Sequence, residues 1–411
     1  MRIVKLNATQ FDKFASTHKY RNYFQTSQYA DVMTKYNYHA NFLGIVDDSE
    51  KLVGATLIIY RDVFMGNKIA YAPHGLLFDY DNEINVKELV KALKKDLGRQ
   101  GIMLFRIDPY IPLTILDSDG NTMNINTKGE SIINNLINSG FKYKGKNLFF
   151  ETEKPRFEGL VLLQRNIEDI FAKTDKRTRS KIRKATNSGV EIEKSNDIKP
   201  LLNLISKKDT NPRSYYENVL ESFNPNVDIY YAKINTEKFL INSRRNYEKE
   251  LEYNETLSKQ IQDVNLDYNI RETYLNKKME SDKLITSYKS NLLKATELLK
   301  TNPDGIIIAG TMVIKYDNAA YVFTENIDDE YGNLSANYLL KWQLINDYNM
   351  SGFKYLNLNA VVGEFKEQNE YSGLNESKLG FNTTVTEYIG EFDIVLNPLA
   401  YGVYKKVNKD V

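Results

Sequence analysis

Leu52-Val-Gly-Ala-Thr-Leu-Ile-Ile-Tyr60 opens an order of strand, strand, helix and strand that the chain repeats from Ile306-Ile-Ile-Ala-Gly-Thr-Met-Val-Ile314 onward. In both copies a second strand, a helix and a last strand follow, at 68–75, 86–97 and 101–108 and again at 320–325, 334–348 and 352–359. β-branched and aromatic residues favour strands, and a helix before the last strand favours α/β units with a mixed sheet. The shared order predicts a duplication, with chance similarity of two common α/β segments as the alternative.

Between the two copies lies a long stretch without turn residues. It has no glycine between Gly189 and Gly305 and no proline from 226 to 302. Apolar residues recur there at steps of three and four, as in a coiled-coil seam: Leu257, Ile261, Val264 and Tyr268, then Ile285, Tyr288, Leu292, Ala295 and Leu299. This pattern predicts two antiparallel helices, about 242–265 and 273–300, that form a projecting arm. Two ordinary core helices are the alternative, but the charged outer faces favour the arm.

These segments predict a division of the 411 residues into two related units and an insertion. We expect a first unit at 1–150 and a second unit at 151–238 and 302–396. The arm would occupy 239–301, and residues 397–411 would form a C-terminal helix that packs back on the first unit.

The composition limits the chemistry that the chain can perform. The 55 Lys+Arg and 54 Asp+Glu residues give a net charge of +1, so global charge does not indicate a nucleic acid or membrane partner. The absence of cysteine excludes disulfides, thiol nucleophiles and cysteine-ligated metals, and three histidines argue against a histidine metal site. No apolar run has the length of a signal peptide or a membrane span, which predicts a soluble, intracellular protein.

The sharpest local cluster of charge is Lys173-Thr-Asp-Lys-Arg-Thr-Arg-Ser-Lys-Ile-Arg-Lys184, which holds seven basic residues and one acid. On a helix, Lys176, Arg179 and Arg183 share one face and could hold phosphates. Such a face suits an RNA backbone, a pyrophosphate or an anionic membrane, whereas the plain alternative is a solvated helix.

Asp108 ends an apolar strand immediately before Pro109. Carboxylates at strand ends beside loops are common catalytic groups, although Asp before Pro is equally an ordinary turn opener. His74 is a weaker candidate, because it is a turn histidine without a metal-spaced partner. Serine-elbow, phosphate-loop and dinucleotide-binding motifs do not occur in the sequence.

Taken in order, these segments resemble the Fem family of aminoacyl-tRNA-dependent peptidyltransferases, which build peptidoglycan interpeptide bridges. The resemblance covers nearly the whole chain and rests on an ordered set of short motifs. They are Tyr71-Ala-Pro-His-Gly-Leu-Leu-Phe-Asp79, Phe105-Arg-Ile-Asp-Pro-Tyr110, Lys176-Arg-Thr-Arg-Ser-Lys-Ile-Arg-Lys-Ala185, the arm, Lys378-Leu-Gly-Phe381 and Leu396-Asn-Pro398. The resemblance implies an α/β fold of two GNAT-like units packed together, with the antiparallel coiled-coil arm inserted.

The resemblance also implies the chemistry and the residues that carry it. An amine of the precursor would attack the ester carbonyl of an aminoacyl-tRNA, with Asp108 accepting or orienting the proton. Lys378 would stabilise the oxyanion or contact the tRNA acceptor end. Expected contacts to the precursor phosphates come from Arg213, Lys35 and Tyr216, and tRNA or anion contacts from Lys176, Arg177, Arg179 and Arg183.

The expected partners follow from the same resemblance. They are an aminoacyl-tRNA, with glycyl-tRNA first and alanine or serine as alternatives, and lipid II or its bridged form. No metal or cofactor is expected. The family further implies a cytoplasmic protein with peripheral contact at the inner face of the membrane, and association with other Fem-type transferases.

Two departures from the family pattern keep other functions open. Ser377 stands where an aromatic residue commonly precedes the lysine, and two residues are missing between Arg213 and the tyrosines that follow it. A non-catalytic Fem-like protein that binds tRNA, precursor or a partner is one alternative. An acyl-CoA N-acyltransferase is another, although the glycine-rich pyrophosphate loop of that class is not visible.

Overall fold

The structure is a computed structural model that describes residues 1–64, 66–205, 211–263 and 266–407. The strands are β1 Arg2–Lys5, β2 His39–Val46, β3 Leu52–Phe64, β4 Asn67–Ala72, β5 Ile102–Ile107, β6 Pro112–Leu116, β7 Thr122–Ile125, β8 Lys142–Tyr143, β9 Phe157–Leu162, β10 Val190–Ser195, β11 Val227–Ile234, β12 Ile306–Tyr316, β13 Ala319–Ile327, β14 Tyr355–Ala360, β15 Thr384–Tyr388 and β16 Phe392–Val395.

The helices complete the element order. They are α1 Ala8–Ala15, α2 Ser27–Lys35, α3 Glu83–Arg99, α4 Gly129–Asn138, α5 Ile167–Lys173, α6 Lys176–Asn187, α7 Lys199–Leu204, α8 Arg213–Phe223, α9 Thr236–Ile261, α10 Tyr268–Thr301, α11 Ala336–Met350, α12 Ser372–Leu379 and α13 Pro398–Val407. A 3-10 turn lies at Asp329–Leu334. Within the described ranges, no helix is both long enough and apolar enough to pass through a bilayer.

The repeated order of strand, strand, helix and strand is confirmed in both copies. In the first copy β3 pairs antiparallel with β4, and β4 pairs parallel with β5 across α3. In the second copy β12 pairs antiparallel with β13, and β13 pairs parallel with β14 across α11. The two copies therefore have the same strand pairing as well as the same element order.

Each copy belongs to its own mixed sheet. The first sheet has seven strands in the order β1-β2-β3-β4-β5-β16-β8. The second has nine strands in the order β10-β11-β12-β13-β14-β9-β15-β6-β7. Apolar residues of α3 and α4 cover one face of the first sheet, and residues of α11 pack into the core of the second. A third cluster joins α1, α2 and α8 to strands of both sheets.

The sheets exchange strands across the boundaries expected from the sequence. β6 and β7, which lie before residue 150, belong to the second sheet, and β16, which lies before residue 396, belongs to the first. β16 enters the first sheet between β5 and β8. Strand partners are chosen by long-range pairing, so position along the chain does not define the sheets. The chain crosses between the sheets four times, after β5, β7, β8 and β15.

The arm consists of α9 and α10, which are longer at their starts than the predicted 242–265 and 273–300. α9 begins earlier because the Asn235 side chain caps it by accepting from Lys238 N, and Asp267 caps α10 in the same way. The predicted positions 264 and 265, including Val264, lie outside the described residues.

The base and the outer part of the arm have different surroundings. Phe239, Ala295 and Leu298 pack into the core of the second sheet, whereas most outer residues are exposed. Leu257 and Ser281 are buried between the two helices of the outer part. The arm is inserted between adjacent antiparallel strands, since Ile234 of β11 faces Ile306 of β12. It is therefore a projecting hairpin with an anchored base.

The C-terminal helix α13 lies against the first sheet. Tyr404 is buried with Met103 and Leu104 of β5, and Tyr401 packs beside them. Residues 408–411, which belong to the expected C-terminal helix, lie outside the described residues.

Candidate active site

Asp108 lies at the first crossover between the two sheets, directly after β5. Its carboxylate is 7% exposed. Oδ2 accepts a hydrogen bond from the Tyr71 hydroxyl at 2.8 Å, and Oδ1 accepts one from the backbone N–H of His74 at 2.6 Å. Burial and the neighbouring Asp108 hold the pKa of Tyr71 well above its usual value, so this hydroxyl remains a donor.

The histidine beside this carboxylate has a left-handed backbone conformation, with φ of 49°. The strand β4 ends just before it, and the following Gly75 packs so closely that a Cβ there would lie 2.8 Å from Gln25 Nε2. A left-handed residue with a side chain costs about 1–3 kcal/mol, and such residues cluster at functional sites. The hydrogen bond from the His74 backbone N–H to Asp108 and the contact of the His74 ring with the same carboxylate offset the energetic cost of this backbone conformation.

The imidazole of His74 is oriented by Asp108. Its Nδ1 lies 3.1 Å from Asp108 Oδ2 and 3.4 Å from the Asp108 carbonyl oxygen, which are both acceptors. Two acceptors beside Nδ1 favour a proton on that nitrogen, and in that neutral tautomer Nε2 presents a lone pair. The residue is 3% exposed, and its Nε2 has no hydrogen-bond partner among the described residues. This arrangement has the geometry of a carboxylate-oriented general base.

His74 lines a cleft of about 310 Å³ between the two sheets. The ring packs against Phe24 at 5.0 Å and Tyr110 at 4.7 Å between centroids. The cleft walls combine aromatic, cationic and acidic side chains, among them Lys154, Glu158, Tyr215, Tyr216, Phe323 and Asn359. A cleft of this size with a few convergent polar groups is typical of a small-molecule site.

Glu158 of β9 forms a buried polar hub next to this cleft. Its Oε2 accepts hydrogen bonds from Tyr110 at 2.8 Å, Tyr388 at 2.9 Å and Asn357 at 2.8 Å. Burial raises the pKa of both tyrosines well above the usual value, so both keep their protons. Tyr110 follows Asp108 by two residues and Tyr388 ends β15, so the hub joins the first and the last crossover between the sheets.

Lys378, in the last turn of α12, lies on the other side of this hub. Its Nζ donates to the carbonyl oxygen of Ala360 at 2.7 Å. Burial and, to a smaller extent, the positive charge of Lys341 together lower the pKa of Lys378 to about 8, and the charges of Glu325 and Glu158 oppose the shift. Lys341 is completely buried and pairs with Glu325 at 2.6 Å. Glu158 thus binds Tyr110, which follows Asp108 by two residues, and its charge also acts on Lys378.

A second ionic cluster holds the exchanged strand beside Asp108. Arg106 of β5 makes a two-pronged contact with Asp393 of β16, at 2.8 and 3.0 Å, and also approaches Glu391 at 3.1 Å. Burial raises the pKa of Glu391 to about 7. Since Arg106 precedes Asp108 by two residues, this cluster locks the strand that presents the catalytic candidate.

The expected phosphate contacts do not converge. Tyr216 is buried and lines the cleft, and Arg213 is exposed in the first turn of α8. Lys35 pairs with Asp31 at 2.9 Å and with Glu221 at 3.2 Å, near the other end of α8. Eight residues of helix separate Arg213 from Glu221, which is about 12 Å. Lys35 and Arg213 therefore lie near opposite ends of α8, and their contact with the precursor phosphates stays a prediction.

The basic helix α6 is present, but its cations are in different environments. Lys176, Arg177 and Arg183 are exposed. Arg179 instead donates from Nη1 to the carbonyl oxygens of Ala172 at 2.6 Å and Thr174 at 2.7 Å. It satisfies the free carbonyls at the end of α5 through one guanidinium nitrogen, and anion binding by the face of Lys176, Arg179 and Arg183 stays a prediction.

Sequence patterns alone give a weak signal, or none that was used, for several of these site residues. His74 was the weaker candidate because its carboxylate partner lies 34 residues away. Glu158 and Lys341 carried a readable signal, since each is a single charge within an otherwise apolar strand or helix segment. Across the ranges that the structure describes, no three His, Asp or Glu side chains are grouped as metal ligands.

Residues 6–409 of this chain match a family model described as FemAB family. A lipid II:glycine glycyltransferase of Staphylococcus epidermidis is 24% identical over 420 residues, covering 98% of this chain and 95% of the relative. The aminoacyltransferase FemA of Staphylococcus aureus is 22% identical over 420 residues, covering 100% and 99% of the two chains.

A solved structure shows the same fold. The crystal structure of FemX superposes with a TM-score of 0.71 at 18% identity and covers 98% of this chain and 99% of that one. Together with the two mixed sheets and the inserted antiparallel helices, this likeness confirms the predicted fold class.

Proposed function

This chain belongs to the FemAB family and is an acyltransferase, and from that premise we propose that it builds peptidoglycan bridges with aminoacyl-tRNA as donor. The acceptor is an amine on the stem or bridge peptide of a lipid II-type precursor. Glycine is the first choice of amino acid, because a relative over nearly the full length is named a lipid II:glycine glycyltransferase. Alanine and serine are the alternatives.

The observation that supports this proposal best is the Asp108–His74 pair beside the cleft. An acceptor ammonium with a usual pKa of about 10.4 must lose a proton before it can attack an ester. His74 lines the cleft, its buried Nε2 has no hydrogen-bond partner among the described residues, and Asp108 lies against Nδ1 on the other edge of the ring. We therefore assign the proton transfer to His74, with Asp108 as the residue that positions it and stabilises the imidazolium.

The proposed reaction needs no external energy source. The acceptor ammonium gives a proton to His74 Nε2, and the neutral nitrogen attacks the carbonyl carbon of the aminoacyl ester. The new C–N bond forms, the ester C–O bond breaks, and the leaving ribose oxygen takes the proton back from His74. The nitrogen of the new amide loses its second proton to solvent, so the reaction releases one proton overall. Exchange of an ester for an amide is favourable, so no nucleotide hydrolysis is required.

Lys378 supplies a cation on the other side of the hub. With a pKa of about 8 it is mostly protonated at pH 7, and it can stabilise the developing oxyanion or the acceptor end of the tRNA. Its ammonium is held against the Ala360 carbonyl, next to Asn359 of the cleft wall. Tyr216 and Arg213 are the proposed precursor contacts, and the lipid anchor of that precursor implies contact with the membrane surface.

The test combines the purified chain with lipid II and tRNAs charged with glycine, alanine or serine. We expect mass spectrometry to show one added residue, in an amide bond, that depends on intact charged tRNA and disappears after RNase treatment. Absence of product with all three donors would overturn the proposal. Precursor binding without any transfer would favour a non-catalytic binding protein, and RNase-resistant transfer from an acyl-CoA would favour the N-acyltransferase alternative.

A further inference from the structure

The outer face of the C-terminal helix α13 carries an apolar stripe that no described residue covers. Tyr404 is buried against β5 on the inner face of this helix. On the outer face, Leu399 is 84% exposed, Val403 46% and Val407 66%. These three residues follow one another at intervals of four, so they lie along one side of the helix. A helix with one anchored face and one exposed apolar face has a surface available to a partner.

The start of α13 is tied to the first sheet. The backbone N–H groups of Leu396 and Asn397 both donate to the carbonyl oxygen of Met103, at 2.8 and 3.2 Å. The Asn397 side chain then caps the helix by accepting from Ala400 N at 3.2 Å. Because these bonds and the buried Tyr404 fix the helix, the stripe has a fixed direction relative to the sheet.

The same helix is basic. Residues 398–407 contain Lys405 and Lys406 and neither Asp nor Glu. Both lysines are exposed, and neither forms an ion pair with a described residue. Lys406 follows Val403 by three residues, so it lies on the same side of the helix as the stripe. Cations beside exposed apolar side chains are typical of a helix that lies on an anionic lipid surface.

A second copy of the chain fits this face less well. In a two-fold contact the helix would meet itself, and its lysines would find no carboxylate on the facing helix. An anionic lipid surface supplies both an apolar interior for the stripe and negative charge for the lysines. The chemistry of α13 therefore favours a membrane as the partner.

The position of α13 relates this face to the candidate active site. Successive side chains of a strand point to opposite faces of a sheet, and Leu104 of β5 packs with α13 whereas Phe105 belongs to the core beneath α3. Asp108 follows the same strand directly. Four residues from Leu104 to Asp108 span about 13 Å. The helix therefore lies about 13 Å along β5 from the candidate active site.

A cavity of about 250 Å³ lies between α13 and the cleft. Ile69, Arg61 and Lys154 are among the residues that line this cavity. Ile69 also packs in the cluster around Tyr404 beneath α13, and Lys154 also lines the cleft that contains His74. The open space next to the cleft thus reaches the residues on which α13 lies.

We propose that the outer face of α13 docks the protein on an anionic membrane surface. Leu399, Val403 and Val407 enter the interface, and Lys405 and Lys406 contact the phosphates of the headgroups. The inference deepens the proposed function and rests on it only for the lipid-linked identity of the substrate. Three apolar side chains and two cations give weak, reversible binding, which holds the chain near its substrate without anchoring it permanently.

The first test measures vesicle binding without turnover. The full-length chain is sedimented with vesicles of phosphatidylglycerol and phosphatidylcholine in equal parts, and with vesicles of phosphatidylcholine alone, over a range of salt concentrations. We expect preferential binding to the anionic vesicles that weakens as salt rises. Lys405→Gln/Lys406→Gln should bind about thirtyfold more weakly, which is about 2 kcal/mol for the two lysines, and should lose most of the salt dependence.

The matched control for charge is Lys91→Gln/Lys95→Gln on α3. Both lysines are exposed, and α3 covers the opposite face of the first sheet. This variant loses the same charge as the α13 variant and should bind the vesicles like wild type.

The second test removes the apolar stripe. Leu399→Ser/Val403→Ser should weaken vesicle binding by at least about tenfold while the salt dependence stays. Ile84→Ser/Met350→Ser replaces two exposed apolar residues outside α13 and should bind like wild type. Thermal unfolding of each variant checks that the fold is retained.

A third measurement gives a positive signal at the proposed interface. The emission of Val403→Trp should be quenched by vesicles that contain lipid with brominated acyl chains, and that of Ile84→Trp should not. The wild type supplies the background, because its single tryptophan, Trp342, packs against the core of the second sheet.

These experiments distinguish the docking surface from the proposed function. Absence of binding to anionic vesicles, or wild-type binding by both α13 double variants, would overturn the surface and leave the transfer reaction intact. Vesicle binding that the α13 variants lose, together with no transfer from any charged tRNA, would support the surface and contradict the proposed function. A dimer in analytical ultracentrifugation that dissociates in Leu399→Ser/Val403→Ser, with unchanged vesicle binding, would assign the stripe to a second copy and overturn the inference.

Discussion

At the scale of single residues, the pairing of Asp108 with His74 changes the role expected for the carboxylate. Both Asp108 oxygens accept hydrogen bonds, from the Tyr71 hydroxyl and the His74 backbone, and the ring Nδ1 lies against one of them. A carboxylate in this position is better suited to orient a neighbouring base than to take the substrate proton itself. The Nε2 of His74 has no hydrogen-bond partner among the described residues.

We expect His74→Gln to reduce kcat/KM by at least about a hundredfold and to remove the acidic limb of its pH profile. The reason is that glutamine keeps a polar side chain but cannot accept the proton. Steady-state rates from pH 5 to 9 measure both effects, and His39→Gln on the exposed start of β2 is the control. A His74→Gln enzyme that keeps the acidic limb would place the base elsewhere.

Asp108→Asn provides a separate check on the same pair. If Asp108 acts through His74, the double variant with His74→Gln should be about as slow as either single variant, because both remove one function. Effects that multiply would show that the two residues act independently.

The buried ion pair of Lys341 and Glu325 predicts a pH effect on activity. Below a pKa of about 8 Lys378 carries its charge, so a role for this cation predicts that activity falls as pH rises through about 8. Lys341 lowers this pKa more than Glu325 raises it, so removal of both charges raises the pKa. We expect Lys341→Met/Glu325→Gln to move the alkaline limb to higher pH.

The control for this shift is Lys378→Met, in which the limb should disappear together with most of the activity. Urea unfolding of each variant tests whether the buried substitutions damage the fold, since an apolar replacement of a whole buried pair is often tolerated. An alkaline limb that stays near pH 8 in the double variant would assign it to a different group.

At the scale of elements, the contact between α12 and the start of α6 couples the lysine helix to the basic helix. Gly380 accepts a hydrogen bond from Asp175 N, and a Cβ at Gly380 would overlap with the side-chain oxygens of Asp175 and Thr178. Asp175 also caps α6 by accepting from Thr178 N at 2.9 Å. The absence of a side chain at Gly380 therefore allows the two helices to meet.

We expect Gly380→Ala to lower the free energy of unfolding by about 1–3 kcal/mol, because the added methyl group displaces the α6 cap. Gly373→Ala in the same helix is the matched control, since a Cβ there meets nothing within 4 Å. It should be neutral or stabilising by up to about 1 kcal/mol, because alanine favours helix. Urea unfolding measures both, and equal stabilities of the two variants would contradict the close contact.

At the scale of the whole molecule, the first and last crossovers between the sheets explain where the site forms. The chain first leaves the first sheet after Asp108 and makes its last return to that sheet after Tyr388, and Ile389 N donates to the carbonyl oxygen of Ile111 at 3.0 Å. Irregular segments held by two sheets can present side chains that the sheets themselves keep in place. The exchange of strands between the sheets therefore brings the Asp108–His74 pair and the Glu158 hub together.

The arm should be separable from this framework. We expect a chain in which a short Gly/Ser linker replaces residues 246–291 to fold, because Phe239, Ala295 and Leu298 remain to anchor the base. Its melting temperature should stay within about 3 °C of the full chain, which corresponds to about 1 kcal/mol. Circular dichroism and thermal unfolding measure this, and an unfolded product would show that the outer arm supports the core.

The sequence alone was sufficient for features that depend on local pattern. The alternation and periodicity of apolar residues determined the repeated order of strand, strand, helix and strand, and the run without glycine or proline determined the arm. Ordered short motifs determined the family. These features follow from residues near one another in the chain, because propensity, capping and hydrophobic period act over a few residues.

Only the tertiary structure decided which strands share a sheet and which side chains meet. β16 pairs with β5, and the contact between Arg106 and Asp393 links residues that are 287 positions apart in the chain. Lys35 forms an ion pair with Glu221 instead of lying beside Arg213. The role of His74 likewise depends on a carboxylate that reaches it from another strand. Such contacts are chosen by the packing of the whole chain, and no local pattern of residues specifies them.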